Sequence, residues 1–223
     1  MGGPGGAQGM KGPARWVRRR LQRFFQWLYE EGAWAYDGVA ALASAGRWVH
    51  WVEQALLVLE GPRVLEIGHG PGHLLRAMAR AGWHPVGLDR SAAMGRRARR
   101  RAGPSVPLVR GEAQRLPFRD RGFDTVVATF PAPFILEADT WAEVARVLRP
   151  GGRFVVLLGA RPAPACPWRL LYRLAGLGPL GADLWVYLQQ QGAAVGVAVR
   201  PWHVHDGRWR LEGWIGIREA REG

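Results

Sequence analysis

Residues 64–72, Val-Leu-Glu-Ile-Gly-His-Gly-Pro-Gly, constrain the fold more than any other stretch of this chain. Val64, Leu65 and Ile67 are apolar and mostly β-branched, as a strand covered on both faces requires. Gly68, Gly70 and Gly72 then permit a tight turn and a close approach of backbone to a ligand, because no Cβ stands in the way. The run after them, with Leu74, Leu75, Ala77 and Met78, has helical spacing. A strand, a glycine loop and a helix N-terminus are the parts of a nucleotide-type site in a doubly wound sheet.

Strand and helix patterns keep alternating downstream. Residues 86–89 read as a second strand, and Ser91 as the N-cap of a helix through Arg101. A third strand is expected within 104–110 and a fourth at 123–129. A helix over 138–148 is stopped by Pro150-Gly151-Gly152, and 153–158 form a fifth strand. Residues 162–192 are a Pro-, Leu- and Trp-rich excursion expected to form two helices. Residues 194–205 alternate like a strand, Asp206-Gly207 signals a hairpin turn, and 208–218 return. The pattern predicts an α/β, Rossmann-like, seven-stranded, mostly parallel sheet that ends in an antiparallel hairpin.

The loop is not a dinucleotide fingerprint, which places glycines at the first, third and sixth positions. Here the sixth position is His73, and the third glycine is Gly72. Glu66, two residues before the loop, would repel a pyrophosphate and suits a ligand carrying an ammonium or sulfonium cation. S-adenosylmethionine carries both. On these residues the chain resembles the class I S-adenosylmethionine-dependent methyltransferases, the group that includes the quinone-biosynthesis C-methyltransferases. Residues 64–72 resemble that family's first motif. Asp89, 21 residues after Gly68, matches the acidic residue at the end of the second strand. Gly111-Glu112-Ala113 with Leu116-Pro117-Phe118 resembles the adenine-binding stretch. Residues 123–129 and 143–152 match the fourth strand and the approach to the fifth.

The resemblance implies roles for particular residues. Gly68, Gly70 and Gly72 would cradle the methionine side; His69 departs from the family's usual Cys or Ala and reads either as narrowing the pocket or as a partly exposed loop residue. Glu66 would act on the methionine ammonium through water or orient the loop. Asp89 would accept from both ribose hydroxyls, a charge-assisted bidentate geometry, with Arg90 beside it. Glu112 would accept from the adenine amine and the Ala113 amide would donate to a ring nitrogen. Thr129 and Phe130, at the mouth of the fourth strand, would border the sulfonium and the incoming acceptor. Tyr36 resembles the tyrosine of an N-terminal Tyr-Asp motif that closes over the cofactor, and reads equally as a packing aromatic. No base stands out, so the catalytic residue is unassigned. His203 and His205 alternate on a strand and make a poor metal pair, so no metal is expected.

Composition bounds the remaining possibilities. Residues 1–13 are Gly-rich without an apolar signal region and read as a disordered tail. Residues 14–60 read as an N-terminal helical extension or lid, 61–223 as the methyltransferase domain, and 162–192 as its substrate cap. No run of about 18 apolar residues is present, so no membrane span is expected. The single cysteine, Cys166, excludes an internal disulfide and suits a cytoplasmic location. The net charge of +13 is almost all arginine, Lys11 being the only lysine. The stripe Val17, Leu21, Phe24, Phe25, Leu28 amid arginines suits packing on the domain or peripheral membrane contact through 14–29. The run from Arg96 to Arg101 reads as a solvated face, with an RNA-facing patch as the alternative. Twelve tryptophans suggest an apolar or aromatic acceptor. Methyl transfer to such a small molecule is therefore expected. The alternatives are an RNA methyltransferase and a non-catalytic, membrane-associated cofactor-binding module. The oligomeric state is left open.

Overall fold

The structure, a computed structural model, describes residues 44, 46–163 and 182–220. The expectations placed on the 1–13 tail, the 14–29 stripe, Tyr36 and most of the 162–192 cap lie outside the described residues. Seven strands form one sheet in the order β3-β2-β1-β4-β5-β7-β6. They are β1 (Arg63–Ile67), β2 (His84–Asp89), β3 (Leu108–Arg110), β4 (Phe123–Thr129), β5 (Leu148–Pro162), β6 (Val197–Asp206) and β7 (Trp209–Arg218). The first five run parallel, and β7 lies antiparallel to both β5 and β6. The α/β, Rossmann-like sheet with an antiparallel ending is thus present as the alternation predicts.

Two apolar layers follow from strands buried on both faces. On one face Leu65, Ile67, Val126, Phe154 and Val156 meet α4 (Ala138–Val147), where Trp141 packs edge-on to Phe154 with ring centroids 5.4 Å apart. On the other, Val64, Val127 and Val155 meet α2 (His73–Arg80) and α3 (Ala92–Ala102). The short α1 (Trp48–Glu53) and a 3-10 turn, Gln54–Val58, pack on this second face. Helix α5 (Ala182–Ala194) buries Leu188 in the first layer.

Several boundaries differ from the sequence pattern for physical reasons. Strand β3 keeps only three residues, and Pro104 and Pro107 ahead of it offer no N–H to a ladder. Strand β5 begins at Leu148 rather than 153. Pro150-Gly151-Gly152, which reads as a stop, is carried inside the strand through a register shift opposite Phe123 and Thr125, with Gly151 at φ +72°. Among the described residues, the helical section before β1 is six residues of α-helix that then tighten to i→i+3 bonding. Strand β2 starts at His84, two residues early.

The N-terminal edge of the sheet is tied by ion pairs. Asp124 is 5% exposed and accepts from the Arg63 backbone N–H (3.0 Å), Arg63 Nη2 (2.9 Å) and Arg149 Nε (2.7 Å). The Arg63 guanidinium, more than the opposing cost of burial, brings its pKa down to about 2. Nearby, Glu143 accepts from the Leu116 N–H and from Arg146, whose Nη atoms also donate to the Leu116 and Phe118 carbonyls. That pair fixes the loop carrying Leu116-Pro117-Phe118 to α4.

Candidate active site

The strand order reverses between β1 and β4, one neighbour lying to each side of β1. A crevice therefore opens above the carboxyl ends of these strands, the usual ligand position in an open α/β sheet. The glycine loop leaves β1 at this point. Gly68, Gly70 and Gly72 sit at φ +68°, +51° and +82°, a left-handed region that carries a penalty for other residues. A Cβ on Gly72 would lie 2.8 Å from Ala98 Cβ, so this glycine lets α3 pack on the loop. A Cβ on Gly70 would meet nothing within 4 Å. Gly70 is thus set by backbone conformation and faces open space, as a ligand cradle requires.

Asp89 organises the loop from the end of β2. It is 8% exposed. The Gly70 N–H donates to its Oδ2 (2.9 Å) and the Ser91 N–H to its Oδ1 (2.8 Å). Each oxygen retains a second lone pair for a hydroxyl. The Asp89 carbonyl accepts from the Gly111 N–H (3.2 Å), which joins the Glu112-Ala113 stretch to the same strand end. Glu112 is exposed and its carbonyl accepts from the Arg115 N–H. Ala113 is buried with its side chain in the core, which leaves its backbone for recognition. Arg90 is exposed, and its carbonyl accepts from Arg110 Nε.

Glu66 lies deeper, 1% exposed on β1. Its Oε2 has no hydrogen-bond partner, and the side chain lines a cavity of about 20 Å³ with Trp48, Gly68, Gly70 and Thr129. Burial, then the negative charge of Asp89, pushes its pKa well above the usual carboxylate range, against a lowering from the Leu75 N–H. An unpartnered buried acceptor on a cavity wall is matched to a cationic donor. His69 is buried rather than a partly exposed loop residue, at 4% exposure. Its Nδ1 lies 2.7 Å from the Gly70 carbonyl, and its ring occupies the space that a side chain on Gly87 would take. Burial lowers its pKa, outweighing the pull of Asp89. Beyond His69 and Asp89 an open cleft of about 530 Å³ runs between α3 and β3.

The mouth of β4 is aromatic. Phe130 has φ +48°, and its N–H donates to the Leu157 carbonyl at 2.7 Å. The strained turn aims its ring at Trp48, with centroids 4.2 Å apart, and Trp51 lies 6.5 Å away. Trp51 in turn packs on Trp209 at 4.9 Å. Asp206, in the β6–β7 turn, holds α1 here. It accepts from Trp51 Nε1 (3.0 Å) and from both Nε and Nη2 of Arg47. The Arg47 guanidinium, acting against burial, lowers its pKa.

The structure thus gathers Glu66, Gly68, His69, Gly70, Asp89 and Thr129 around two adjoining cavities, with Phe130 stacked on Trp48 beside them, while Gly72 lines neither and packs on Ala98 instead. Glu112 and Ala113 are joined to them through Asp89, and Tyr36 lies outside the described residues. Sequence reasoning gave Trp48 no role and saw Asp206 only as a turn residue. Nothing local in the sequence marks either, because their partners lie far along the chain.

The description "Methyltransferase domain" fits residues 64–152, which match that family's model. The demethylmenaquinone methyltransferase of Streptomyces avermitilis is 30% identical over 203 residues, covering 84% of each chain. That of Renibacterium salmoninarum is 33% identical over 149 residues, covering 65% of this chain and 62% of its own length. Among solved structures, a methyltransferase of Haloferax volcanii in complex with the Trm112 activator superposes with a TM-score of 0.60 at 21% identity, covering 84% of this chain and 97% of that one. The magnesium protoporphyrin IX methyltransferase of Synechocystis, solved with bound S-adenosylhomocysteine, gives 0.55 at 16% identity, covering 90% and 100%.

Proposed function

This chain belongs to the class I S-adenosylmethionine-dependent methyltransferases, and from that premise we propose that it methylates a ring carbon of an apolar, quinone-type acceptor. The aromatic bank of Trp48, Phe130 and Trp51 at the mouth of β4 carries the reading. A planar apolar ring gains both buried area and offset stacking against such a surface. The relatives named as demethylmenaquinone methyltransferases give the acceptor class.

S-adenosylmethionine, when bound, supplies a methyl group on positively charged sulfur that is open to in-line displacement. The residues present fit that cofactor, since Gly70 leaves a cradle free of side chain and Glu66 offers an unpartnered buried oxygen. In this reading Glu66 receives the methionine ammonium, Asp89 the ribose hydroxyls, and Glu112 with the Ala113 amide the adenine. Gly68 and His69 shape the wall, Gly72 seats α3 against the loop, Arg90 flanks the ribose end, and Tyr36 closes from the N-terminal side. Thr129 and Phe130 set the position of the acceptor ring. The chain's contribution is orientation and exclusion of water at the meeting point of sulfur and acceptor, which supplies much of the acceleration in a displacement of this kind. The acceptor reacts in its reduced quinol form, whose electron-rich ring carbon supplies the electron pair of the new bond to methyl and then gives up its hydrogen as a proton to solvent.

The test is turnover of a short-tailed demethylated naphthoquinone, held as its quinol by dithionite, with S-adenosylmethionine, read by mass spectrometry as replacement of one ring hydrogen by methyl. Trp48→Ala is expected to raise KM for the quinone more than it lowers kcat. No turnover of any quinone, together with methylation of a structured RNA, would refute the reading.

A further inference from the structure

The arginines of this chain divide into two populations. Those at the N-terminal edge of the sheet are occupied by carboxylates: Arg63 and Arg149 by Asp124, Arg153 by Glu60, Arg146 by Glu143 and Asp120. Those at the C-terminal edge are in excess. Residues 90–110 contain seven arginines and no aspartate or glutamate. Arg96 and Arg100 sit one turn apart on α3, both exposed, and with Arg110 they line the cleft beside Asp89. No carboxylate among the described residues pairs with Arg96 or Arg100. The one carboxylate in that cleft, Asp89, is already held by two backbone amides.

A second basic bank lies at the other end of the same edge. The β6–β7 turn and the end of β5 bring together Arg47, Arg161, Arg208 and Arg210 with, among the described residues, only the carboxylates Asp206 and Glu212. Arg47 occupies Asp206, and Arg161 and Arg210 share Glu212. Four positive charges against two negative ones leave a surplus, and Arg208 is exposed at the tip. Strand β3 and the hairpin are at opposite ends of the seven-strand order, so the banks stand roughly 25–30 Å apart. Between them is the aromatic mouth of Trp48 and Phe130. A compact anion cannot reach both banks, whereas an extended anionic surface can. An apolar centre with cationic flanks matches the headgroup and acyl boundary of a bilayer better than a nucleic acid, which is anionic throughout.

We propose that the C-terminal edge of the sheet docks on an anionic phospholipid surface, with Arg96, Arg100 and Arg110 on one flank and Arg208 and Arg210 on the other binding headgroup phosphates. This rests on the apolar-acceptor reading, because docking in this orientation presents the aromatic mouth to a molecule dissolved in the bilayer.

The test is co-sedimentation of the full chain with vesicles of phosphatidylcholine, with or without phosphatidylglycerol. Binding is expected only to the anionic vesicles and is expected to fall steeply with added salt. Loss of affinity should be about fivefold per arginine removed, so Arg96→Ser with Arg100→Ser should cost more than tenfold and Arg208→Ser about fivefold. Thermal unfolding of each variant verifies that it is folded. Equal binding to both vesicle types, or wild-type binding by the arginine variants, would overturn the proposal. So would tighter capture of a structured RNA that the same substitutions abolish, since that assigns the edge to nucleic acid. Vesicle binding is measured with no quinone present, and transfer to a short-tailed quinone is measured in detergent without vesicles. Failure of one reading is thereby distinguished from failure of the other.

Discussion

Glu66→Gln tests the cofactor assignment at its deepest point. The carboxyl is almost wholly buried, its Oε2 is unpartnered, and burial together with Asp89 raises its pKa. A cation entering the adjoining cavity favours the ionised form, so binding expels a proton from Glu66. Below the folded-state pKa, affinity for the cofactor should therefore rise with pH, by as much as tenfold per unit. Glutamine keeps the shape and the amide contact but cannot ionise. Replacing a charge-assisted hydrogen bond by a neutral one removes about 1–1.5 kcal/mol, which is roughly a five- to tenfold loss of affinity. Calorimetry with S-adenosylhomocysteine, in two buffers of different ionisation enthalpy, measures both the affinity and the protons released. The wild-type protein should release protons and the variant should not. Stability gives an independent readout. Because folding raises the pKa of Glu66, its neutral form favours the native state, and that contribution is lost as pH rises from the ordinary glutamate value through the folded one. The variant has no such loss, so its melting temperature should gain on wild type as pH increases across that window. Unchanged affinity, or the same pH slope in the variant, would show that Glu66 does not meet the ammonium.

Four further outcomes follow from the geometry. Gly70→Ala should cost about 1–2 kcal/mol of stability from backbone conformation alone. Gly72→Ala adds a collision with Ala98 and should cost about 2–4 kcal/mol by denaturant titration. In Asp124→Asn, the charge that Arg63 and Arg149 stabilise is gone. The lowered pKa of Asp124 contributes about 2 kcal/mol above the ordinary aspartate range, lost in the wild type as pH falls from about 4 to about 2, so an acid titration of Tm should be flatter in the variant. Asp206→Ala removes the acceptor of Trp51 and Arg47. Amide exchange in α1 should then accelerate about tenfold or more, with strands β1 and β4 unchanged.

The cofactor half of the site was legible because its information is local. Gly68, Gly70 and Gly72 announce backbone angles that other residues avoid, and an acidic residue at the end of β2 sits at a distance fixed by one helix and one strand. The paired apolar faces of β1, β4 and β5 were readable for the same reason. The acceptor side was not. Trp48 reads as one more helix aromatic until Phe130 turns back at a positive φ to meet it, and that turn depends on the Leu157 carbonyl of the neighbouring strand. Strand β5 was read short because Pro150-Gly151-Gly152 breaks a helix locally, while the pairing of Phe123 with Leu148 continues the sheet across it. His69 reads from sequence as wall or surface alike, because its burial depends on the missing side chain of Gly87.

The bond between Arg47 and Asp206 spans 159 residues. It joins the first described helix to the turn before the last strand, and that strand lies inside the sheet rather than at its margin. A chain emerging from the ribosome therefore completes its cofactor loop early but cannot fasten α1 over it until β7 has been made. The aromatic wall of the crevice is thus fastened late in synthesis. A fragment truncated within the hairpin would keep every residue of the glycine motif while leaving its aromatic wall unanchored.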